Sequence, residues 1–255
     1  MQRYFIADEQ FTERTVVITG EDAHHIQHVM RMHAADSIIC VNGHGEAFVC
    51  VIDAVTAGQV TAVIESKLSA NSELPIRVII AQGVPKGDKF DTIVQKATEC
   101  GASAFIPFQA SRSIAAWQPN KVEKKRARLQ RIAKEAAEQS HRLKLPPIYP
   151  PMTLRDLLVF AETINWKVVA YEETAKQGEQ RPLPLLLQRI HPGDSLLVVI
   201  GPEGGLTAEE AATLEANGFI LCGLGPRILR TETAPISFLS FISYHFELSL
   251  NEVDC

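Results

Sequence analysis

Apolar runs and amphipathic stretches alternate from Arg77 to the end of the chain, and this alternation constrains the fold more than any other feature. The apolar runs predict strands and the stretches between them predict helices. Strands that alternate with helices form a mainly parallel sheet covered on both faces, so we predict an α/β fold for this part. The predicted strands are RVIIAQG, AFIPFQ, KVVAYEE, SLLVVIG and FILCGLG.

The first 70 or so residues show a different pattern, with short strands and turn signals. TVVITG predicts an early strand, and SIICVNGHGEAFVCVIDAVTAGQVTAVIES predicts three strands joined by two glycine-containing turns. EDAHHIQHVMRM, between them, predicts a helix. Together these elements predict a small β-barrel. SANSELP, residues 69–75, is polar and ends in proline, which places the boundary between domains of residues 1–72 and 73–255.

A basic segment lies within an otherwise acidic chain. The net charge is −5, but residues 121–144 hold nine Lys or Arg and three Glu, a local charge of +6 that leaves −11 for the remainder. Such a segment is typical of a phosphate-binding surface and also of a solvated helix face with pairs of opposite charge. A long helix is predicted over residues 120–142, with Arg131 and Arg142 on one polar stripe that could face a base or another subunit.

The cysteine pattern and the lack of targeting signals predict a cytoplasmic protein without a membrane partner. The five cysteines are odd in number and form no C-x-x-C pair, which favours reduced thiols over a disulfide framework or a zinc site. No apolar run is long enough to span a bilayer. The first ten residues, MQRYFIADEQ, lack the charged-then-apolar pattern of a signal peptide.

The stretch LLVVIGPEGGLTAEE predicts a buried strand, a glycine-rich turn and a helix that starts with a capping box of Thr207 and Glu210. We call residues 201–205 the GPEGG loop. Ligands of parallel sheets lie at the carboxyl ends of strands, and glycines let the backbone approach them closely. The loop matches neither dinucleotide nor P-loop fingerprints, and Glu203 would repel a pyrophosphate. A plain connecting turn is the alternative to a ligand site.

A second glycine turn, in LGPRILRTETAP (residues 224–235), places Arg227, Arg230 and Glu232 directly before the apolar ISFLSFISYHFEL. Two neighbouring strands that both end in glycine loops predict a pocket for a flat ligand, and VVAYEE is a candidate for a third wall. Charges at this position line such a pocket, or else Arg230 and Glu232 pair with each other or cap the helix. The final helix is apolar on nearly all sides, which predicts burial in the core or in a subunit contact.

GPEGG followed by LGPRILRTETA resembles the signature of the SPOUT methyltransferases, and within them most closely the bacterial 16S rRNA uracil-N3 methyltransferase (RsmE) family. Ala35 departs from the family pattern, in which a glycine is expected before Asp36. The resemblance implies a C-terminal α/β trefoil-knot domain, an N-terminal PUA-like barrel and a homodimer. Further blocks that resemble the family are HHIQHVMRM, VNGHGEAFVCVI, KGDKFDTIVQKATECG, SRSIAAW and EAAEQSHR.

The resemblance also implies a methyl donor, S-adenosylmethionine (SAM), and a site for it at the knot. The donor has no phosphate, which agrees with the missing phosphate-binding signature. The residues implied to bind it are Tyr171, Glu172, Ile200, Gly201, Gly205, Leu221, Leu224, Gly225, Ile228 and Leu229. Arg230 and Glu232 suit charge stabilisation and proton abstraction at uracil N3, with Glu203 and Arg112 as further candidates for catalysis.

The implied substrate is a uridine of 16S rRNA in the small ribosomal subunit. Candidate RNA contacts are His24, His25, His28 and Arg31 in the N-terminal domain and Arg131 and Arg142 on the long helix. His24 and His28 stand four residues apart, but no third ligand is evident, so no metal is expected. The alternatives are a SPOUT enzyme with another base or a ribose 2′-OH as its target, and a non-catalytic RNA-binding assembly factor.

Overall fold

The chain forms two compact units in a computed structural model, and each is described by itself. The first unit comprises Met1–Glu73 and Lys134–Leu145, and the second comprises Leu74–Ala133 and Pro146–Cys255. Residues 134–145 therefore belong to the first unit, although they follow much of the second in sequence. The described residues are 1–69, 71–171 and 182–249.

The first unit contains a five-stranded half-barrel with the order β1-β3-β4-β5-β2. Strands β1 and β3 are parallel, and the other neighbouring pairs are antiparallel. Helix α1, Gly20–His24, continues into a π-helical turn, His25–Val29. The strands are β1 (Gln2–Phe5), β2 (Thr15–Thr19), β3 (Ser37–Val41), β4 (Ala47–Thr56) and β5 (Gln59–Leu68).

Strand β1 was not predicted, because its four residues, QRYF, carry no regular apolar alternation. Its Arg3 side chain is buried, and Nη1 donates hydrogen bonds to the carbonyl oxygens of His141 (2.8 Å) and Arg142 (3.0 Å). The strand is thus fixed by polar contacts with residues distant in sequence, which a local pattern does not reveal.

Ala35 occupies the turn before β3 with φ of 74°. This is the left-handed region, where a Cβ atom is unfavourable and glycine is preferred. The Ala35 backbone N–H donates to the carbonyl oxygen of Ile52 at 2.8 Å, so the turn keeps its hydrogen bond despite the substitution. Alanine in place of the expected glycine adds backbone strain at position 35, but the left-handed turn is kept.

The second unit is built on a five-stranded sheet with the order β10-β8-β9-β6-β7, in which every described pairing is parallel. Strand β9 is buried along its whole length and β6 at all but its first residue, as expected for central strands of a covered sheet. The strands are β6 (Arg77–Gly83), β7 (Ala104–Phe108), β8 (Trp166–Ala170), β9 (Ser195–Ile200) and β10 (Ile220–Cys222).

The helices agree with the predicted alternation, with one addition. Helix α4 was not predicted, although Thr153 and Asp156 form a capping box at its start. The predicted capping box of Thr207 and Glu210 is confirmed at the start of α6. The helices are α2 (Lys89–Glu99), α3 (Val122–Gln139), α4 (Leu154–Ala161), α5 (Pro182–Leu187), α6 (Ala208–Ala216) and α7 (Ala234–Ser243), the last continued by a π-helical turn, Tyr244–Leu248.

Helix α3 is shorter than the predicted span of residues 120–142, because the chain leaves the helix after Gln139 and His141 adopts φ of 59°. Within the described part of the chain, no helix combines the length and the apolar character that a membrane span requires.

Candidate active site

A pocket of about 630 Å³ lies at the carboxyl ends of β8 and β9, where ligands of parallel sheets bind. The GPEGG loop forms one side, and the loop between β10 and α7, residues 223–233, supplies another. Six of the ten residues predicted to bind the cofactor line it: Tyr171, Ile200, Gly201, Gly205, Ile228 and Leu229. All four predicted catalytic residues line it as well: Arg112, Glu203, Arg230 and Glu232.

Three of the remaining predicted cofactor residues lie elsewhere. Leu224 and Gly225 line a second, apolar groove of about 370 Å³ against α5 and the end of the final helix. Leu221 lies in β10 and packs on the hydrophobic core of the second unit. Glu172 lies outside the described residues.

The GPEGG loop packs tightly on itself and on the end of β6. A Cβ atom added to Gly201 would lie 2.9 Å from the carbonyl carbon of Gly205, and one added to Gly83 would lie 2.4 Å from the Pro202 nitrogen. Neither position has room for a side chain. Glycine is therefore required by the close approach of two backbone segments, and the loop's backbone forms the edge of the pocket.

A buried hydrogen-bond chain joins three segments beneath the pocket. The Thr231 hydroxyl donates to the Gly201 carbonyl oxygen at 2.7 Å and accepts from Nε2 of Gln82 at 2.8 Å. Gln82 is fully buried at the end of β6. Sequence reasoning missed this contact, although a glutamine in the apolar run RVIIAQG was a usable signal, since buried polar groups need partners.

A lysine missed by sequence reasoning lies between two of the predicted catalytic carboxylates. Lys89 Nζ, from the first residue of α2, lies 3.0 Å from Glu203 Oε1 and 3.5 Å from Glu232 Oε2. The backbone N–H of Lys86 also donates to Glu203 Oε1 at 3.1 Å. The cluster brings together one residue from α2, one from the GPEGG loop and one from the β10–α7 loop.

The electrostatics keep Glu203 and Lys89 charged. Burial alone would raise the pKa of Glu203, but the hydrogen bonds from Lys89 and Lys86 and the charge of Lys89 outweigh it and lower that pKa. The hydrogen bond to Glu203, with the charges of both carboxylates, raises the pKa of Lys89. Near neutral pH, Glu203 is therefore an anion and Lys89 a cation.

The two arginines of the site play different structural parts. Arg112 Nη1 donates to the carbonyl oxygens of Gly204 (3.1 Å) and Leu206 (3.3 Å), so it stabilises the GPEGG loop. Arg230 is exposed on the pocket wall, and its carbonyl oxygen accepts hydrogen bonds from the first turn of α7. Among the described residues, Arg230 and Glu232 form no ion pair; Glu232 pairs with Lys89 instead.

The predicted RNA-binding residues of the first unit fall into two groups. His24 and His28 are exposed with ring centroids 4.6 Å apart, and Arg31 is exposed nearby in sequence. His25 is half-buried, with Nδ1 3.0 Å from the Tyr4 hydroxyl. Among the described residues, no group of three or more His, Cys, Asp or Glu side chains is arranged to hold a metal ion.

Arg142 and Arg131, predicted together, differ in environment. Arg142 is only 2% exposed and forms two hydrogen bonds to Glu73, from Nη2 to Oε2 at 2.6 Å and from Nε to Oε1 at 2.9 Å. A guanidinium so enclosed is not available to a phosphate, so its position corrects the expectation of an RNA contact. Arg131 is exposed on α3, and its assignment stays a prediction.

Comparison with known proteins covers nearly the whole chain. An RNA methyltransferase domain family matches residues 72–243, and an RNA methyltransferase PUA domain family matches residues 18–65. Ribosomal RNA small subunit methyltransferase E of Bacillus subtilis is 48% identical over 97% of this chain and 98% of its own. The Synechocystis protein of the same name is 34% identical over 94% of this chain and 77% of its own.

Solved structures agree with the sequence matches. Ribosomal RNA small subunit methyltransferase E from Neisseria gonorrhoeae, bound to S-adenosyl methionine, is similar with a TM-score of 0.83 and 29% identity, covering 95% of this chain and 97% of its own. A Legionella pneumophila protein in complex with the cofactor SAM has a TM-score of 0.81 and 28% identity, covering 94% and 96%. The fold is thus the SPOUT α/β fold with a PUA domain, and the chain belongs to the ribosomal RNA small subunit methyltransferase E family.

Proposed function

We propose that this RNA methyltransferase transfers the methyl group of SAM to N3 of a uridine in 16S rRNA. The observation that carries the proposal is the pocket itself, in which the GPEGG loop, the β10–α7 loop and the end of β8 meet around charged side chains suited to proton transfer. Family membership supports small-subunit rRNA as the substrate. The N3 position rests on the resemblance and on the chemistry of the charged side chains.

The residues of the pocket fit SAM. Its volume of about 630 Å³ lies within the ordinary range of about 300–1,000 Å³ for small-molecule sites. Gly201, Gly204 and Gly205 line the pocket without side chains, so a bound adenine ring would meet their backbone, and Ile200, Ile228 and Leu229 offer apolar surface. SAM, when bound, supplies an electrophilic methyl group whose bond to sulfur breaks as the new N–C bond forms.

The charged residues suit the acceptor. Uracil N3–H is a weak acid, so N3 becomes an effective nucleophile only when a base removes its proton, and a positioned base contributes roughly 10²- to 10⁴-fold. We assign the base to Glu232, which lines the pocket, and charge stabilisation at a uracil oxygen to Arg230. Glu203 and Arg112 hold the loops, as their contacts with Lys89 and with Gly204 indicate.

We also propose that residues 1–72 dock the RNA and that residues 73–255 bind SAM and perform the chemistry. His24, His28 and Arg31 offer exposed rings and a charge for bases and phosphates. The exposed basic face of α3, including Arg131, would add phosphate contacts. The trefoil knot and the cytoplasmic location belong to the same proposal. The knot rests on the family resemblance, and the location rests on the cysteine pattern of the sequence.

A homodimer formed through the second unit is part of the proposal. Phe241, Tyr244 and Leu248, along the end of the final helix, are 39%, 63% and 69% exposed, and Leu185 of α5 is 56% exposed. The apolar groove lined by Leu224 and Gly225 runs beside them. An apolar surface of this kind is suited to burial against a second copy.

The proposed activity is tested on the RNA product. Small subunits from a strain lacking the gene are incubated with the purified protein and SAM, and their 16S rRNA is digested to nucleosides for mass spectrometry. We expect one new 3-methyluridine. A methylated base of another kind or a 2′-O-methyl nucleoside would contradict the N3 assignment, and binding without any methyl transfer would favour an assembly factor.

A further inference from the structure

The cluster of Lys89, Glu203 and Glu232 is not explained by SAM binding alone. Two carboxylates from different loops share one ammonium group at the rim of the pocket, with the distances of 3.0 Å and 3.5 Å already given. All three residues line the pocket. One carboxylate would be enough to join Lys89 to a neighbouring loop, so the second carboxylate calls for a separate explanation.

Glu232 is held in an unusual way. Its Oε2 atom is buried and makes no hydrogen bond among the described residues. The nearby charge of Lys89 is therefore what offsets the cost of burying this oxygen. A buried carboxylate oxygen without a hydrogen bond is costly unless an opposite charge lies close by. Without Lys89, the Glu232 side chain would favour rotation toward solvent, and that change would move the proposed base away from its place at the pocket.

The charge balance suits the uptake of one proton. With both carboxylates ionised, the cluster carries one excess negative charge. When Glu232 accepts the N3 proton, that excess disappears, while Lys89 keeps Glu203 as its partner at 3.0 Å. The transfer therefore leaves no unpaired charge within the cluster, which keeps its electrostatic cost low.

Resting on the proposed function, we infer that Lys89 is a positioning residue for methyl transfer, since its Nζ lies between Glu203 and Glu232 and holds the Glu232 carboxylate in the pocket. Glu203, fixed by the backbone N–H of Lys86, anchors Lys89 on the other side. The role of Lys89 is to keep the Glu232 carboxylate oriented, and it needs no direct contact with SAM.

The test compares Lys89→Met and Lys89→Arg in the full-length protein. A matched control is Lys96→Met, because Lys96 lies on the same helix and pairs with Glu99 outside the pocket. Single-turnover methyl transfer to 16S rRNA is measured at saturating SAM, with SAM affinity and thermal melting alongside. We expect Lys89→Met to lower the rate on the order of 10²-fold, with SAM affinity unchanged. Lys89→Arg should recover a large part of the rate, and Lys96→Met should match the wild type.

A double-mutant comparison separates positioning from scaffolding. If Lys89 acts through Glu232, Lys89→Met combined with Glu232→Gln should be no slower than Glu232→Gln alone. Rate losses that multiply, or a normal rate for Lys89→Met, would overturn the inference. If Lys89→Met fails to fold, the same comparison with Lys89→Gln, which keeps a polar side chain but removes the charge, decides it. If the wild-type protein transfers no methyl group to rRNA, the proposed function is contradicted instead. If it forms another methylated nucleoside, the same comparison of variants is made on that product.

Discussion

Gln82 and Thr231, 149 residues apart in sequence, form a hydrogen bond of 2.8 Å in the buried floor of the candidate active site. The same Thr231 hydroxyl donates to the Gly201 carbonyl oxygen. One small side chain thus ties the end of β6, the GPEGG loop and the β10–α7 loop into a single wall. The geometry of the pocket depends on this polar contact as well as on apolar packing.

Replacing Thr231 by Val should therefore weaken both fold and ligand binding. The change removes the two hydrogen bonds of the Thr231 hydroxyl, while Gln82 Nε2 keeps its contacts with the carbonyl oxygens of Gly83 (3.1 Å) and Gly201 (3.4 Å). We expect a cost of about 0.5–1.5 kcal/mol for each lost hydrogen bond. We expect a lower free energy of unfolding in urea and weaker SAM binding by calorimetry. Thr231→Ser keeps the hydroxyl and is the control. Equal stability of the Val and Ser variants would show that the contact is dispensable.

Arg230→Ala should affect chemistry more than folding. Arg230 is exposed on the pocket wall, and the described residues contain no ion pair between it and Glu232. If it stabilises negative charge on uracil, its loss should lower single-turnover methylation on the order of 10²-fold, with little change in melting temperature or SAM affinity. A destabilised variant whose folded fraction turns over normally would instead assign Arg230 a structural role.

The ion pair of Glu73 and Arg142 predicts acid sensitivity of the first unit. Burial alone would raise the pKa of Glu73, but hydrogen bonds from Arg142, Leu143 and Lys144 outweigh it and hold the pKa below its ordinary value of 4.5. A carboxyl with a depressed folded-state pKa contributes stability above its unfolded-state pKa and loses it as the pH falls further. Urea unfolding should show this decline below about pH 4.5.

The control for this pH effect is Glu73→Gln, which cannot ionise. Its stability should be lower than that of the wild type at neutral pH, and the difference should shrink as the pH falls. Parallel pH curves for the two proteins would mean that Glu73 contributes nothing to the acid dependence.

Ala35→Gly should stabilise the first unit. The left-handed φ of 74° costs a residue with a Cβ atom about 1–2 kcal/mol, and the greater freedom of glycine in the unfolded chain offsets about 0.4–1 kcal/mol of the gain. We expect a net increase in the free energy of unfolding of about 0.5–1 kcal/mol. Ala62→Gly, at a buried position inside β5, is a control that should destabilise instead. An unchanged or lower stability of Ala35→Gly would refute the strain.

Tyr244→Asp should dissociate the proposed homodimer. Tyr244 is 63% exposed in the single chain, so a charge there should harm a subunit contact without disturbing the core. Sedimentation at micromolar concentration should show twice the monomer mass for the wild type and the monomer mass for the variant. Val159→Asp, at a position 61% exposed on α4, is the control. A wild-type monomer with normal SAM binding would contradict the dimer.

The fold of the second unit was predictable because its strands are continuous apolar runs between helix signals. Helix α4 was missed even though TLRD at residues 153–156 matches a capping box. Strand β1, QRYF, carried a weaker local signal, because its position depends on hydrogen bonds from Arg3 to residues 141 and 142. Local patterns predict elements well, but not those that are fixed from a distance.

The site was predicted in part, for a related reason. The glycine loops signal a pocket by themselves, and Glu203, Arg230 and Glu232 stand within or beside them. Lys89 and Gln82 reach the pocket because β6 lies next to β9 in the sheet, and strand order is a long-range property. Arg142 was misassigned because a charge at the end of a predicted basic helix gives no sign that the side chain is buried and paired with Glu73.

The placement of residues 134–145 in the first unit has a consequence for synthesis of the chain. Phe5 and Glu73 have partners in this segment, through the hydrogen bond of the Phe5 N–H to Glu138 (3.2 Å) and the ion pair with Arg142. Chains emerge from the ribosome N-terminus first, and domains commonly fold in that order. Here the first unit stays incomplete until residues 134–145, which belong to it, have been translated. Synthesis of the two units is therefore interleaved. Residues 1–73 lack the remainder of their unit while residues 74–133 of the second unit are translated.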